Sequence, residues 1–224
     1  SSGDDRPAVS SISSPTVSEG DKATFDVSLS NESTTATTVT LTLAGDSATA
    51  GTDFTSTEVT ITYQDGTTQT VAVNGDGTFD VAIPAGDTTF SISVQTTDDN
   101  VFEGDETFTL SGKTGSQEVL VIGTGTIVDD AVDAVNDQYT VNEDGSVSLS
   151  LLANDKAPDG GLAIVSINGV TLTGGAQSIA VSNGTVEIAA DGSMAFKPNE
   201  NFNGDTSFDY VAKDADGDSD SATV

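Results

Sequence analysis

The side chains in this chain that could hold a metal or move a proton are overwhelmingly carboxylates. Thirty-six Asp and Glu face six Lys and Arg, a formal net charge of −30, and the chain holds no His and no Cys. Without Cys there is no disulfide and no zinc–thiolate site. Without His the commonest general base and transition-metal ligand are gone. The acids concentrate beside glycines, in Ser18-Glu19-Gly20-Asp21, Gly51-Thr52-Asp53, Asp98-Asp99-Asn100, Glu103-Gly104-Asp105-Glu106 and Asp129-Asp130. The second half repeats this in Asn142-Glu143-Asp144-Gly145, Asn154-Asp155, Asp159-Gly160 and Asp214-Ala215-Asp216-Gly217-Asp218-Ser219-Asp220. Two explanations compete for such a charge. A salt-adapted protein spreads carboxylates over solvated faces, whereas a calcium protein gathers them in turns, where about six to eight oxygens can surround each ion. Clustering beside glycines favours several calcium ions, and favours them over magnesium, which keeps more of its water.

The elements that must position these acids are strands. Ala23, Phe25, Val27 and Leu29 alternate with polar residues, and so do Val39, Leu41 and Leu43, then Val59, Ile61 and Tyr63. Period two is the mark of a half-buried strand. Asp65-Gly66 reads as a type I′ hairpin turn and Asn74-Gly75-Asp76-Gly77 as a further turn. Phe79–Ile83, Phe90–Val94, Phe108–Leu110 and the run Val119–Val128 bring the count to eight or nine strands before residue 130, at antiparallel-sandwich spacing. The pattern then restarts with Tyr139–Val141, Val147–Leu151, Leu162–Ile167, Val186–Ile188, Met194–Phe196 and Phe208–Ala212, with hairpin signals at Asn168-Gly169 and Asn183-Gly184. Ser221–Val224 reads as the start of a further strand. No stretch shows a capped helical period. The expectation is an all-β chain of two tandem antiparallel sandwiches, residues 1–131 and 132–224. The joint Ile127–Asp137 lacks Gly, Ser and Pro and carries four Asp, so it is expected to be one that a cation could lock.

Four motifs in order, Val17-Ser18-Glu19-Gly20, Ala48–Phe54, Asp98–Glu106 and Gly123–Asp130, resemble the Calx-beta domain in its immunoglobulin-like variant from giant bacterial surface adhesins. That resemblance implies calcium ligands at Glu19, Asp53, Asp98, Asp99, Glu103, Glu106, Asp129 and Asp130. Ala131 stands where many members carry a third Asp. Residues 132–224 resemble the cadherin-like tandem repeats of bacterial surface proteins, through Asn136–Asp144, Leu151–Asp155, Pro198–Gly204 and Ser207–Tyr210. Here the resemblance implies calcium near Asp137, Glu143, Asp144, Asn154, Asp155, Asp159, Asp214 and Asp216.

The function implied is a calcium-rigidified extender of a large secreted RTX-type adhesin, extracellular at the bacterial cell surface, exported by type I secretion and serving attachment or biofilm formation. Its partners would be neighbouring repeat domains of the same chain, and the fragment itself would be monomeric. A chain this acidic repels nucleic acid and anionic membranes, and no apolar run reaches the ~20 residues of a membrane-spanning helix. The alternative is a module binding a glycan or peptide. There is no Trp to form a sugar platform, and Tyr63, Tyr139 and Tyr210 fall on core positions. Thr38, Thr40 and Thr42 are ordinary outward strand residues rather than an ice-binding array. An enzyme is disfavoured: without His and Cys the usual nucleophile–base pairs are missing, and the five lysines lack any accompanying motif.

Overall fold

The computed structural model of the chain describes residues 6–224. It divides into two compact units, one built from the residues up to Asp99 and Glu103–Asp129, the other from Asn100–Phe102 and Asp130–Val224. Both are entirely β, and no helix among the described residues is long and apolar enough to cross a membrane.

The first unit contains β1 (Val9–Ile12), β2 (Thr16–Ser18), β3 (Lys22–Leu29), β4 (Thr37–Gly45), β5 (Glu58–Tyr63), β6 (Thr68–Ala72), β7 (Thr78–Ile83), β8 (Thr89–Gln95), β9 (Glu106–Thr114) and β10 (Val121–Val128). They form two five-stranded sheets, ordered β1-β3-β8-β5-β6 and β2-β10-β9-β4-β7. Alternation does what the sequence asks of it. On β3 Ala23, Phe25, Val27 and Leu29 are buried while Lys22, Thr24 and Asp26 face water, and the inner faces of both sheets share one apolar core. Phe108 sits at its centre, stacked on Phe54 at 4.6 Å and edge-on to Phe25 at 5.6 Å. Gly125 makes room for this trio, since a Cβ there would lie 2.8 Å from the Phe108 ring.

The first two strands escape the sequence pattern. Pro15 separates them, and each joins a different sheet: β1 pairs antiparallel with β3, and β2 runs parallel to β10 through Thr16–Ser18. A proline cannot donate to a ladder, so the chain changes sheets there. That crossing sets Glu19 directly beyond the end of β10, where its N–H donates to the Val128 carbonyl at 3.1 Å.

The second unit contains β11 (Val147–Leu149), β12 (Ala163–Ile167), β13 (Val170–Thr171), β14 (Gln177–Val181), β15 (Gly184–Ile188), β16 (Met194–Pro198), β17 (Asp209–Lys213) and β18 (Ser219–Thr223). Its sheets are ordered β11-β16-β15-β14 and β13-β12-β17-β18. Leu149, Leu151, Ile167, Ile179, Val186, Phe196, Phe208 and Tyr210 fill the space between them. Two expected strands differ. Tyr139–Val141 lies in irregular backbone, and Leu151 is buried in a turn beyond the end of β11. The polar tips of the two aromatics are engaged: the Tyr139 hydroxyl accepts the Ser150 N–H, and the Tyr210 hydroxyl donates to the Asp155 carboxylate at 2.7 Å.

The hairpin turns also differ from expectation in an informative way. Asn168-Gly169 is the two-residue turn expected, with both residues at positive φ. At Asp65-Gly66 only Gly66 has positive φ, so the loop is a turn closed by a left-handed glycine rather than type I′. At Asn183-Gly184 the turn sits one residue earlier. Gly184 is already the first residue of β15, where a Cβ would come 2.5 Å from the Phe196 ring.

Candidate metal centres

In the first unit four loops bring acids together. Glu19 follows β2, Asp53 sits between β4 and β5, Asp99 and Glu103 lie between β8 and β9, and Asp129 follows β10; Glu106 is the first residue of β9. Each is anchored by its own backbone. Asp53 is buried, its neighbour Phe54 is the core aromatic described above, and its carboxylate accepts the Thr49 N–H at 2.6 Å. The Asp53 carbonyl accepts the Thr97 N–H at 2.9 Å, tying this loop to the end of β8. Asp129 is buried too, and one of its oxygens accepts the N–H of both Glu103 and Gly104. Gly20, at φ +85°, lets Asp98 pack close, since a Cβ there would lie 3.0 Å from the Asp98 Cβ.

The result is two overlapping carboxylate trios. Oxygens of Glu19, Asp99 and Glu103 lie within 4.8 Å of one another, and so do those of Asp53, Glu103 and Glu106. Glu103 belongs to both. Charges so placed resist ionisation. Burial, then a hydrogen bond donated by the protonated Glu106 to Asp53, then the charges of Asp53, Glu103 and Asp129, push the Glu106 carboxyl up to about 7. Glu103 is also raised, by burial first and then by Asp53, Asp99 and Asp129. The neighbouring charges that act most strongly on these two groups are all negative. A divalent cation among the oxygens would reverse the sign of that interaction. Carboxylate donors from separate loops suit a hard ion of variable coordination, which is calcium before magnesium. Of the acids expected here, Glu19, Asp53, Asp99, Glu103 and Glu106 share these trios, while Asp129 holds the loop that carries Glu103 and also has a carboxylate oxygen within 4.8 Å of one of Glu19. Asp98 stands outside both.

Asp130 falls in the second unit, where its carboxylate meets those of Asp159 and Asp218 within 4.8 Å. A hydrogen bond with Asp216, then burial, then the charges of Asp216, Asp130 and Asp214, push Asp159 up to about 6. Asp218 was missed in the sequence reading, which took only the first two acids of the alternating run Asp214–Asp218 as candidates. The alternation itself was the signal.

The other acids expected in this unit have different surroundings. Asp155 accepts the Val135 N–H at 2.8 Å with one oxygen and the Tyr210 hydroxyl with the other, and the Asn154 amide donates to the Asn136 carbonyl. Both are engaged in holding the segment before residue 137. Asp137 lies nearby, its pKa raised by burial against the lowering effect of Tyr210. Glu143 and Asp144 are exposed; Asp144 adopts φ +58° and accepts the Asn201 N–H at 3.1 Å, the role of a turn residue. None of these joins a trio of acids among the described residues.

Comparison with known proteins agrees with a two-part chain. The Bacterial Ig domain family matches residues 129–224, and the Calx-beta domain family matches residues 4–75 and 71–130. No curated protein matches the sequence. Among solved structures, the apo-form Calx CBD1 domain is 22% identical, covering 54% of this chain and 95% of its own, with a TM-score of 0.40. The calcium binding domain CBD12 of CALX1.1 is 19% identical, covering 92% of this chain and 79% of its own, with a TM-score of 0.43. The Calx-beta matches span more than half the sequence, and over residues 4–130 the chain belongs to the Calx-beta domain family.

Proposed function

We propose that this chain is a calcium-stiffened, non-catalytic extender segment of a large secreted bacterial adhesin, working outside the cell in surface attachment or biofilm formation. The observation that carries the calcium reading is the pair of trios sharing Glu103. Membership of a calcium-binding family and the immunoglobulin-like second unit support it and its extracellular setting.

The mechanism is linkage. The trios gather acids from loops far apart in sequence, so the ions bind the folded chain and not the unfolded one, and each adds to stability in proportion to the logarithm of calcium over Kd. Extracellular calcium modules have Kd values of about 10⁻⁴ to 10⁻³ M, so such a segment is loose where calcium is scarce and stiff where it is plentiful. A looser, Cys-free chain suits passage through a narrow secretion channel. Ligand binding by the module itself has one observation in its favour, an apolar cavity of about 680 Å³ between the sheets of the second unit, lined by Leu149, Leu152, Ile164, Leu172 and Met194. Its lining lacks the aromatic platform and convergent polar groups of a sugar site.

The reading is tested by stretching tandem copies of the chain in a single-molecule experiment, with calcium or with a chelator. Unfolding force is expected to rise with calcium and not with magnesium. Equal forces in all three conditions would remove the extender role.

A further inference from the structure

Asn-Gly occurs four times in the chain, at Asn74-Gly75, Asn168-Gly169, Asn183-Gly184 and Asn203-Gly204. This dipeptide can close on itself. The backbone nitrogen of the glycine attacks the Cγ of the asparagine side chain, and a glycine carries no side chain to block the approach. Closure needs the asparagine side chain and the peptide plane that follows it to swing together. Hydrogen bonds on either group hold them apart and must be given up first. The four dipeptides are chemically identical, so the fold decides which of them can react.

Three of them are tied down. The Asn74 N–H donates to the Thr78 carbonyl at 2.9 Å, its carbonyl accepts the Gly77 N–H at 2.9 Å, and its side-chain amide donates to the Thr78 hydroxyl at 3.2 Å. Asn168, at φ +49°, donates its N–H to the Asp209 carbonyl at 2.7 Å and its side-chain amide to the Ala180 carbonyl at 3.1 Å. Asn183, at φ +57°, accepts the Asn199 N–H at 2.8 Å with its carbonyl, and its side-chain amide donates to the Thr206 hydroxyl at 3.4 Å. Its glycine, Gly184, is held in β15 between Val181 and Pro198.

Asn203-Gly204 is the exception. Both residues are exposed, lie outside any strand and make no hydrogen bond with the described residues. The chain is tethered on either side, where the Phe202 N–H donates to the Asn199 carbonyl at 3.1 Å and the Thr206 hydroxyl donates to the Ser182 carbonyl at 2.7 Å. Asn203–Asp205 spans the gap between these tethers. There is also room to react: the nearest atom to a Cβ built on Gly204 would be the tip of the Phe202 ring, at 3.9 Å. We propose that Asn203 is a deamidation site selected by the fold. The Gly204 nitrogen forms a bond to the Asn203 Cγ, the Cγ–Nδ2 bond breaks, and ammonia leaves with the proton from the glycine nitrogen. Water then opens the cyclic imide at either carbonyl, giving aspartate or isoaspartate, with no oxidant or reductant involved. The product adds a carboxylate two residues before Asp205, and in the isoaspartyl form the main chain gains a carbon where no strand ladder is there to be disturbed. No part of this rests on the calcium reading.

The test is to age the full chain in calcium-containing buffer at mildly alkaline pH and to follow all four asparagines by peptide mapping. Released ammonia and an isoaspartate-specific methyl-transfer assay give independent readouts. Asn203 is expected to convert about tenfold or more faster than the other three, each of which has hydrogen bonds to lose, and isoaspartate is expected alongside aspartate. Asn203→Gln should remove the early ammonia and leave the melting temperature unchanged. In denaturant, where the hydrogen bonds are gone, the four should convert at similar rates. If Asn74, Asn168 or Asn183 converts first in the folded chain, or if Asn203 leads by the same margin in denaturant, the fold does not select the site and the inference is overturned.

Discussion

Aspartates in this chain meet two fates, and the hairpin tips and the long loops show the contrast side by side. At Asp65-Gly66-Thr67, Asp76-Gly77-Thr78 and Asp191-Gly192-Ser193, the aspartate accepts both the N–H and the hydroxyl of the residue after the glycine. Those bonds, the hydroxyl's first, lower each aspartate below its ordinary pKa. The group is ionised, satisfied and exposed. At Asp159 a hydrogen bond with Asp216 first, then burial and like charges, and at Glu103 and Glu106 burial first and then neighbouring acids, push the carboxyls the other way. An acid beside a glycine is therefore not one signal but two. A hydroxyl residue straight after the glycine marks a turn former, and a further acid nearby marks a group that still needs a positive partner.

The largest effect should come from Glu103→Gln, which removes the carboxylate common to both trios. Two ions each at ten times Kd stabilise by about 3 kcal/mol together, and the variant should lose most of this in calcium while changing little in chelator. Chemical denaturation in both conditions measures it. If the variant kept the full calcium effect, Glu103 would be a bystander.

A smaller effect follows from protons. The folded chain holds the Glu106 proton up to about 7, above the ordinary 4.5 that applies once it unfolds. The calcium-free protein should therefore lose stability as pH rises from about 4.5 to about 7 and then level off. Calcium should displace the remaining proton, so binding just below pH 7 should release protons, seen as a heat of binding that varies with buffer ionisation enthalpy. A buffer-independent heat would place Glu106 outside the site.

Salt should act in the same sense more weakly. Added sodium chloride screens the repelling trios, with a Debye length of about 10 Å at 0.1 M, and should raise the melting temperature without calcium more than with it. The smallest effect belongs to the hairpin tips. Asp65→Asn and Asp76→Asn should cost a little stability equally with and without calcium, and any loss of calcium response would erase the distinction between the two kinds of acid.

The strands were legible where both neighbours on the same face were apolar, as on β3, β4 and β8, because a half-buried strand imposes period two on its own residues. β1 and β2 were not, since Pro15 divides them into pieces too short to show a period, and β2's pairing partner, β10, lies far along the chain. Tyr139–Val141 shows the converse. Its alternation reflects partial burial against the core, which does not require a ladder. The acid positions in the first unit were legible through motif order. What spacing does not reveal is the hydrogen bonding set by tertiary neighbours: Asp129 also grips the backbone of Glu103 and Gly104, and Asp155 also anchors Tyr210.

The central claim, that the clustered acids are structural calcium ligands, is met most directly by calorimetric unfolding of chelator-stripped protein as calcium is added, with magnesium at equal ionic strength alongside. A large, saturable, calcium-selective rise in melting temperature is the expected result. An equal rise with magnesium or sodium would contradict it, and would make the acids a salt-adapted surface.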